Sequence, residues 1–222
     1  TISHDNSTVS VTLSETAYST NGGSGDLEVN DFAFSLTGGI ATLASPFPTT
    51  ISASGTTITL GLSITGTADG NEQLTVLPAT NSLYDATGNV ASTTQTNNSA
   101  YLTDKTAPSA PTSLSANGDN QQVTLSWTVS SDLDVAKYYI YSGTSASPTT
   151  MTDSTVGRTN ASKLITGLTN GTTYYFRVSA VDSAGLESAK SADASATPSA
   201  GVIITVKTDG TGDYTTIQAA AD

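Results

Sequence analysis

The sequence predicts an all-β chain folded as two sandwich domains in tandem. Three observations carry this reading. Helical periodicity is nearly absent before the last ten residues. Short segments of alternating apolar and polar residues recur instead, separated by clusters rich in Gly and Asn. A stretch with two prolines, residues 105–111, divides the 222 residues into two lengths that each suit a sandwich.

The elements follow in order. In the first half, strands are expected at 9–13, 31–36, 40–44, 57–64 and 72–76, with a last one near 99–102. Each carries residues such as Val, Ile, Leu, Phe, Tyr and Thr, which suit a pleated, half-buried surface. Between them lie Asn21-Gly22-Gly23, Thr37-Gly38-Gly39, Asp69-Gly70-Asn71 and Thr87-Gly88-Asn89, where Gly supplies the positive φ of tight turns. Pro108 and Pro111 then stiffen the linker toward an extended form. In the second half, Val123, Leu125 and Trp127 alternate on one strand, Tyr138 and Ile140 on another, and Tyr174, Phe176, Val178 and Ala180 on a third. A Trp facing a Tyr-bearing strand makes a typical sandwich core.

Charge narrows the function classes. Residues 1–104 hold nine acids and no Lys or Arg, whereas residues 105–200 hold seven acids and six bases. The first half is a polyanion, so nucleic acid is excluded as a partner, because binding it needs cations facing phosphates. A cation is the natural opposite expectation; a soluble secreted surface also accounts for the acidity. With no Cys, disulfides, thiolate metal sites and Cys nucleophiles are ruled out. No apolar run reaches the roughly 18 residues of a membrane span. The chain opens at Thr1 inside a strand-like pattern and stops after Asp222 inside a helix-like one, so we expect a piece of a longer protein.

Catalysis is not expected. The single histidine, His4, sits near an end expected to fray, and the carboxylates are expected on exposed turns with ordinary pKa values. Calcium is the one site reading. A hard cation takes about six to eight oxygens. Asp85 and Asn89 offer two from one turn, Asp69 with Asn71 and Glu72 offers a second cluster, and Asp104 and Glu15 would complete a site at a domain end. The alternative is that these are turn residues bonded to their own backbone. Asp132, Asp134 and Asp182 form a second such set in the other half. Tyr139, Tyr141 and Tyr175 alternate with core positions and are expected to face outward, as a carbohydrate platform or packed on neighbours. Asn6, Asn97, Asn160 and Asn170 begin Asn-x-Ser/Thr triplets, which accept glycans only in a glycosylating host.

Three stretches resemble known families. Val123-Thr-Leu-Ser-Trp127 and Leu168-Thr-Asn-Gly-Thr-Thr-Tyr174-Tyr-Phe-Arg-Val178 make residues 108–198 similar to a fibronectin type III domain, with Asn170 where Pro is usual. The resemblance implies that Tyr174 is a corner tyrosine whose hydroxyl bonds to nearby backbone. Val11-Thr-Leu-Ser-Glu15, Leu74-Thr-Val76, Tyr84-Asp-Ala-Thr-Gly-Asn89 and Asp104-Lys-Thr-Ala-Pro108 make residues 1–104 resemble a bacterial immunoglobulin-like domain. Gly210, Gly212, Asp213 and Tyr214, followed by 217–221, resemble the opening of a right-handed parallel β-helix of the pectinesterase and pectate-lyase kind.

Together these imply two immunoglobulin-like β-sandwiches, at 1–104 and 112–198, joined by the linker 105–111. A linker and truncated start of a β-helix cap follow at 199–222. The function expected is a non-catalytic spacer of a secreted or cell-surface multidomain bacterial protein. Its partners would be the neighbouring domains, with a cell surface or polysaccharide beyond them. An accessory region of a polysaccharide-active enzyme is the second reading. A self-assembling surface filament or adhesin is the third.

Overall fold

A computed structural model of the chain describes residues 1–201 and Thr211. The β-helix-like segment expected at the C-terminal end therefore lies outside the described residues. The chain divides into two compact units, Thr1–Thr106 and Ala107–Asp222. Among the described residues every regular element is a strand, apart from one 3-10 turn at Val29–Asp31. The all-β reading is what the structure shows.

The first unit holds β1 (Thr8–Thr12), β2 (Phe32–Thr37), β3 (Thr42–Leu43), β4 (Ile51–Ser54), β5 (Thr57–Gly61), β6 (Ile64–Thr65), β7 (Gln73–Pro78) and β8 (Ser99–Tyr101). They form three antiparallel sheets, ordered β1-β5-β4, β2-β7-β8 and β3-β6. Register follows the apolar pattern. Phe34 pairs with Val76 and Leu36 with Leu74, while Val9 pairs with Leu60. These side chains meet Phe32, Ile58, Leu62 and Leu83 in one core. Each large side chain removed from water there contributes about 1.5–3 kcal/mol.

Two expected strands differ from the structure, for physical reasons. The run 57–64 breaks after Gly61, whose amide donates to Thr50 O at 2.8 Å. A Cβ there would stand 2.4 Å from the hydroxyls of Thr49 and Thr50, so the backbone passes close and the chain changes sheet. The run 40–44 shortens to two residues because Gly38 and Gly39, both at positive φ, wrap the chain around Glu72 and leave Ile40 65% exposed.

The second unit holds β9 (Thr112–Asp119), β10 (Gln122–Thr128), β11 (Val135–Gly143), β12 (Met151–Val156), β13 (Ser162–Thr166), β14 (Tyr174–Asp182) and β15 (Ala194–Ala196). A three-stranded sheet, β13-β10-β9, faces a four-stranded one, β12-β11-β14-β15. Val123, Leu125 and Trp127 point inward from β10, as their alternation predicts, and pack on Tyr138, Ile140, Phe176 and Val178. The rings of Trp127 and Tyr138 lie 5.6 Å apart, tilted by 59°, an arrangement that adds attraction beyond burial. Tyr174 takes the corner role: its hydroxyl accepts the amide hydrogen of Thr169 at 3.2 Å.

Candidate functional site

The residues expected to hold calcium in the first unit are divided between two places. Glu15, Asp85 and Asn89 stand on an open cleft of about 660 Å³, which the core residues Phe32, Leu74 and Leu83 also line. Asp69 and Asp104 do not line it. Asp104 lies instead against Gly70, the chain neighbour of Asp69, where a Cβ on Gly70 would come within 3.0 Å of Asp104 Cβ. Among the described residues, no three carboxylates that include Glu15, Asp69 or Asp85 bring their oxygens within 4.8 Å of one another.

Local turns already use most of these oxygens. Asp85 Oδ1 accepts from the Thr87 amide, the Thr87 hydroxyl and the Asn89 amide, each at 2.8 Å, and Oδ2 accepts from Asn89 Nδ2 at 2.7 Å. The Asn89 side chain, then the Asn89 amide, hold the Asp85 carboxyl down to about 2. The expectation of ordinary pKa values fails here, because an exposed turn still concentrates donors on one carboxylate. Asp5 is likewise lowered to about 2, first by the Ser3 and Ser7 hydroxyls. Asp69 Oδ1 accepts from the Asn71 amide at 3.0 Å, and Asp104 Oδ1 from the Thr106 amide at 2.8 Å.

Glu72 is not on an exposed turn at all. It is fully buried, and Oε1 accepts the amides of Ile40 and Ala41 at 2.9 and 2.8 Å, while Oε2 accepts that of Asp69 at 3.1 Å. Burial by itself would raise its pKa, but the backbone amides, Ala41 foremost, outweigh that and lower it.

His4 does not sit on a frayed end. Ile2 pairs with Val9, the terminal amine donates to Ser10 O at 2.8 Å, and His4 Nε2 lies 3.1 Å from Lys105 Nζ. Asn6 is 3% exposed, with its amide group bonded in both directions to the Thr103 backbone at 2.7 and 2.8 Å. Its Asn-x-Ser/Thr triplet is thereby closed to a glycan in the folded unit.

In the second unit, the Asp132 carboxylate is bonded to serines and is not grouped with those of Asp134 and Asp182. Its Oδ2 accepts from the Ser109 amide at 2.7 Å, the Ser109 hydroxyl at 2.5 Å and the Ser130 hydroxyl at 3.0 Å. Those bonds, led by the Ser109 hydroxyl, lower its pKa. The outward tyrosine platform is corrected at its centre. Tyr141 is 5% exposed, and its hydroxyl donates to Glu187, which also accepts from Ser179 Oγ at 2.6 Å. Lys190 Nζ caps the ring 4.2 Å from its centroid. Burial, then the Glu187 bond, pushes the Tyr141 phenol up. Tyr139 and Tyr175 are only half-buried, and Lys137 Nζ stands 4.9 Å over the Tyr139 ring. The sequence reading missed Glu187 and Lys190; their spacing carries no strand period that would flag them.

Six carboxyls, those of Asp5, Glu72, Asp85, Asp132, Asp153 and Glu187, are held below their ordinary values. A general acid at neutral pH needs the opposite shift. These carboxylates stay ionised and accept hydrogen bonds.

Residues 109–197 match the family model of the fibronectin type III domain. Exoglucanase A of Cellulomonas fimi is 40% identical over 116 residues, covering 50% of this chain and 12% of that protein. Chitinase A1 of Niallia circulans is 42% identical over 90 residues, covering 40% of this chain and 12% of that protein. The chain thus spans about one eighth of the length of these curated relatives. Among solved structures, domains A168–A170 of titin superpose with a TM-score of 0.50 at 14% identity, over 80% of this chain and 62% of theirs. That likeness is one of fold. No helix among the described residues is long and apolar enough to cross a membrane.

Proposed function

We propose that this chain, which carries a fibronectin type III domain at residues 109–197, is a non-catalytic spacer in a secreted multidomain protein that acts on polysaccharide. The observation that carries the reading is where the acidic side chains go. The carboxylates of Glu72, Asp85, Asp132, Asp153 and Glu187 have lowered pKa values, and their oxygens are taken by backbone amides, hydroxyls and amines of the same unit. Such side chains fasten turns and strand ends; they are not poised to exchange protons with a substrate. Tyr141, the centre of the one aromatic surface the sequence offered, packs under Lys190 and leaves little ring for a sugar.

The names of the two curated relatives, an exoglucanase and a chitinase, support a polysaccharide setting. In each, the matching stretch is a small share of a much longer protein, as expected of a module that spaces other domains.

The test incubates the purified chain with insoluble cellulose, chitin and pectin, then assays the supernatant for protein and reducing sugar. The spacer reading expects neither depletion nor sugar release. Depletion by one polymer would make the chain a binding module, and sugar release would make it an enzyme. Light scattering over a concentration series completes the test: association that grows with concentration would favour the filament reading, through the exposed edges of β4 and β8.

A further inference from the structure

We propose that Asp134 and Asp182 of the second unit form a calcium site of modest affinity at one end of its four-stranded sheet. Asp182 ends β14 and is 2% exposed. Its Oδ1 accepts the Leu186 amide at 2.8 Å, inside a tight turn that also bonds Asp182 N to Leu186 O at 3.1 Å. Its Oδ2 is buried and has no hydrogen-bond partner. Buried polar atoms are nearly always satisfied, and an anionic one left alone is especially unfavourable.

The fold brings a second carboxylate to the same place. Asp134 immediately precedes β11, whose first residue, Val135, pairs with Asp182. The Ser183 amide donates to Asp134 O at 3.0 Å and fixes the approach. Carboxylate oxygens of Asp134 and Asp182 then lie within 4.8 Å of one another. The ion pairs among the described residues, Lys163–Asp153, Arg177–Asp193 and Lys190–Glu187, leave this pair out. Two neighbouring anionic oxygens, one of them dry and unpartnered, are what a hard divalent cation stabilises. Asp134 is exposed, so water completes the remaining coordination. Few protein ligands and open access set the affinity in the range of roughly 10⁻⁴–10⁻³ M found for extracellular modules. Bound there, the cation would fasten the segment before β11 to the end of β14.

Trp127 gives a selective readout, because it is the single Trp of the chain and sits in the second core. The experiment follows Trp emission during thermal unfolding of the whole chain in about 10 mM calcium and in chelator, for the native sequence, Asp134→Asn and Asp182→Asn. The expected result is a saturable rise in Tm of roughly 7–15 °C with calcium in the native chain, absent in both variants. Should Asp182→Asn fail to fold, the exposed Asp134→Asn alone decides. Superimposable melts of the native chain with and without calcium would overturn the site. So would a full shift retained by Asp134→Asn, which would place the cation elsewhere.

Discussion

The carboxylate of Glu72 receives the amide hydrogen of Ala41 across 2.8 Å, at a position with no exposed surface. The Ile40 and Asp69 amides converge on the same group. The folded state therefore holds its pKa below the ordinary 4.5, the donors overcoming the opposing effect of burial. A depressed pKa gives stability that is complete above the unfolded value and is lost as pH falls through the folded one. Glu72→Gln should destabilise the first unit by about 1–3 kcal/mol at neutral pH. It should also flatten the loss of stability below about pH 4.5. Urea unfolding followed by circular dichroism across a pH series checks both. Equal stabilities at pH 7 would show that the buried charge is dispensable.

Gly39 and Gly55 both adopt positive φ, +58° and +61°, yet they should respond differently to Ala. A Cβ on Gly39 would stand 2.2 Å from Glu72 Cδ, whereas one on Gly55 meets nothing within 4 Å. Left-handed backbone costs an L-residue about 1–2 kcal/mol at either site. At Gly39 the collision with a locked, buried side chain adds roughly 1–3 kcal/mol. Parallel denaturant titrations should rank Gly39→Ala well below Gly55→Ala. Matching midpoints would mean that the Glu72 cradle yields to the methyl group.

What the sequence revealed depended on period and range. Val123, Leu125 and Trp127 announce their strand because alternation is a local property that burial on one face enforces. β4, with only Ile51 and Ala53 among serines, passed unread: its edge position leaves most of it exposed, so no apolar repeat was required. Glu72 read as a turn acid because its neighbours Asp69 and Gly70 are turn residues, yet its partners Ile40 and Ala41 lie more than thirty positions away. Tyr141 misled for a related reason. Alternation put it on the outer face of β11, but Glu187 and Lys190 fold over that face from a segment with no strand period.

Asp132 binds Ser109, near the start of the second unit, to Ser130 through a single oxygen. Asp132→Ala should speed hydrogen exchange of the Ser109 amide by roughly tenfold or more, the equivalent of about 1.4 kcal/mol of lost protection. The core of that unit should unfold almost unchanged, because none of its apolar contacts is touched. The same release should follow acidification of the native chain, since the lowered Asp132 pKa preserves the anchor until the carboxyl protonates. Exchange at Ser109 that ignores the substitution would locate the restraint in Pro108 and Pro111 rather than in the carboxylate.

Tyr138 is fully buried, and its hydroxyl donates to Arg158 O at 2.9 Å while accepting from the Ser130 amide at 3.2 Å. Tyr138→Phe keeps the ring against Trp127 and strands both backbone groups, so a loss of about 1–3 kcal/mol is expected. Tyr138→Ala, which also empties the core, should lose about 3–5 kcal/mol. Burial raises the Tyr138 phenol above its ordinary 10, with the Ser130 bond and Arg158 opposing. A raised pKa gives stability that is complete below the unfolded value and lost as pH climbs through the folded one, so the native second unit should weaken above about pH 10. Tyr138→Phe should weaken less steeply there. Part of the alkaline slope should survive, because the Tyr141 phenol is raised as well; Tyr141→Phe in the same background should remove that part. Trp127 emission in urea at pH 7 and near pH 10.5 separates the contributions. An alkaline slope identical in all three proteins would place its origin outside these two phenols.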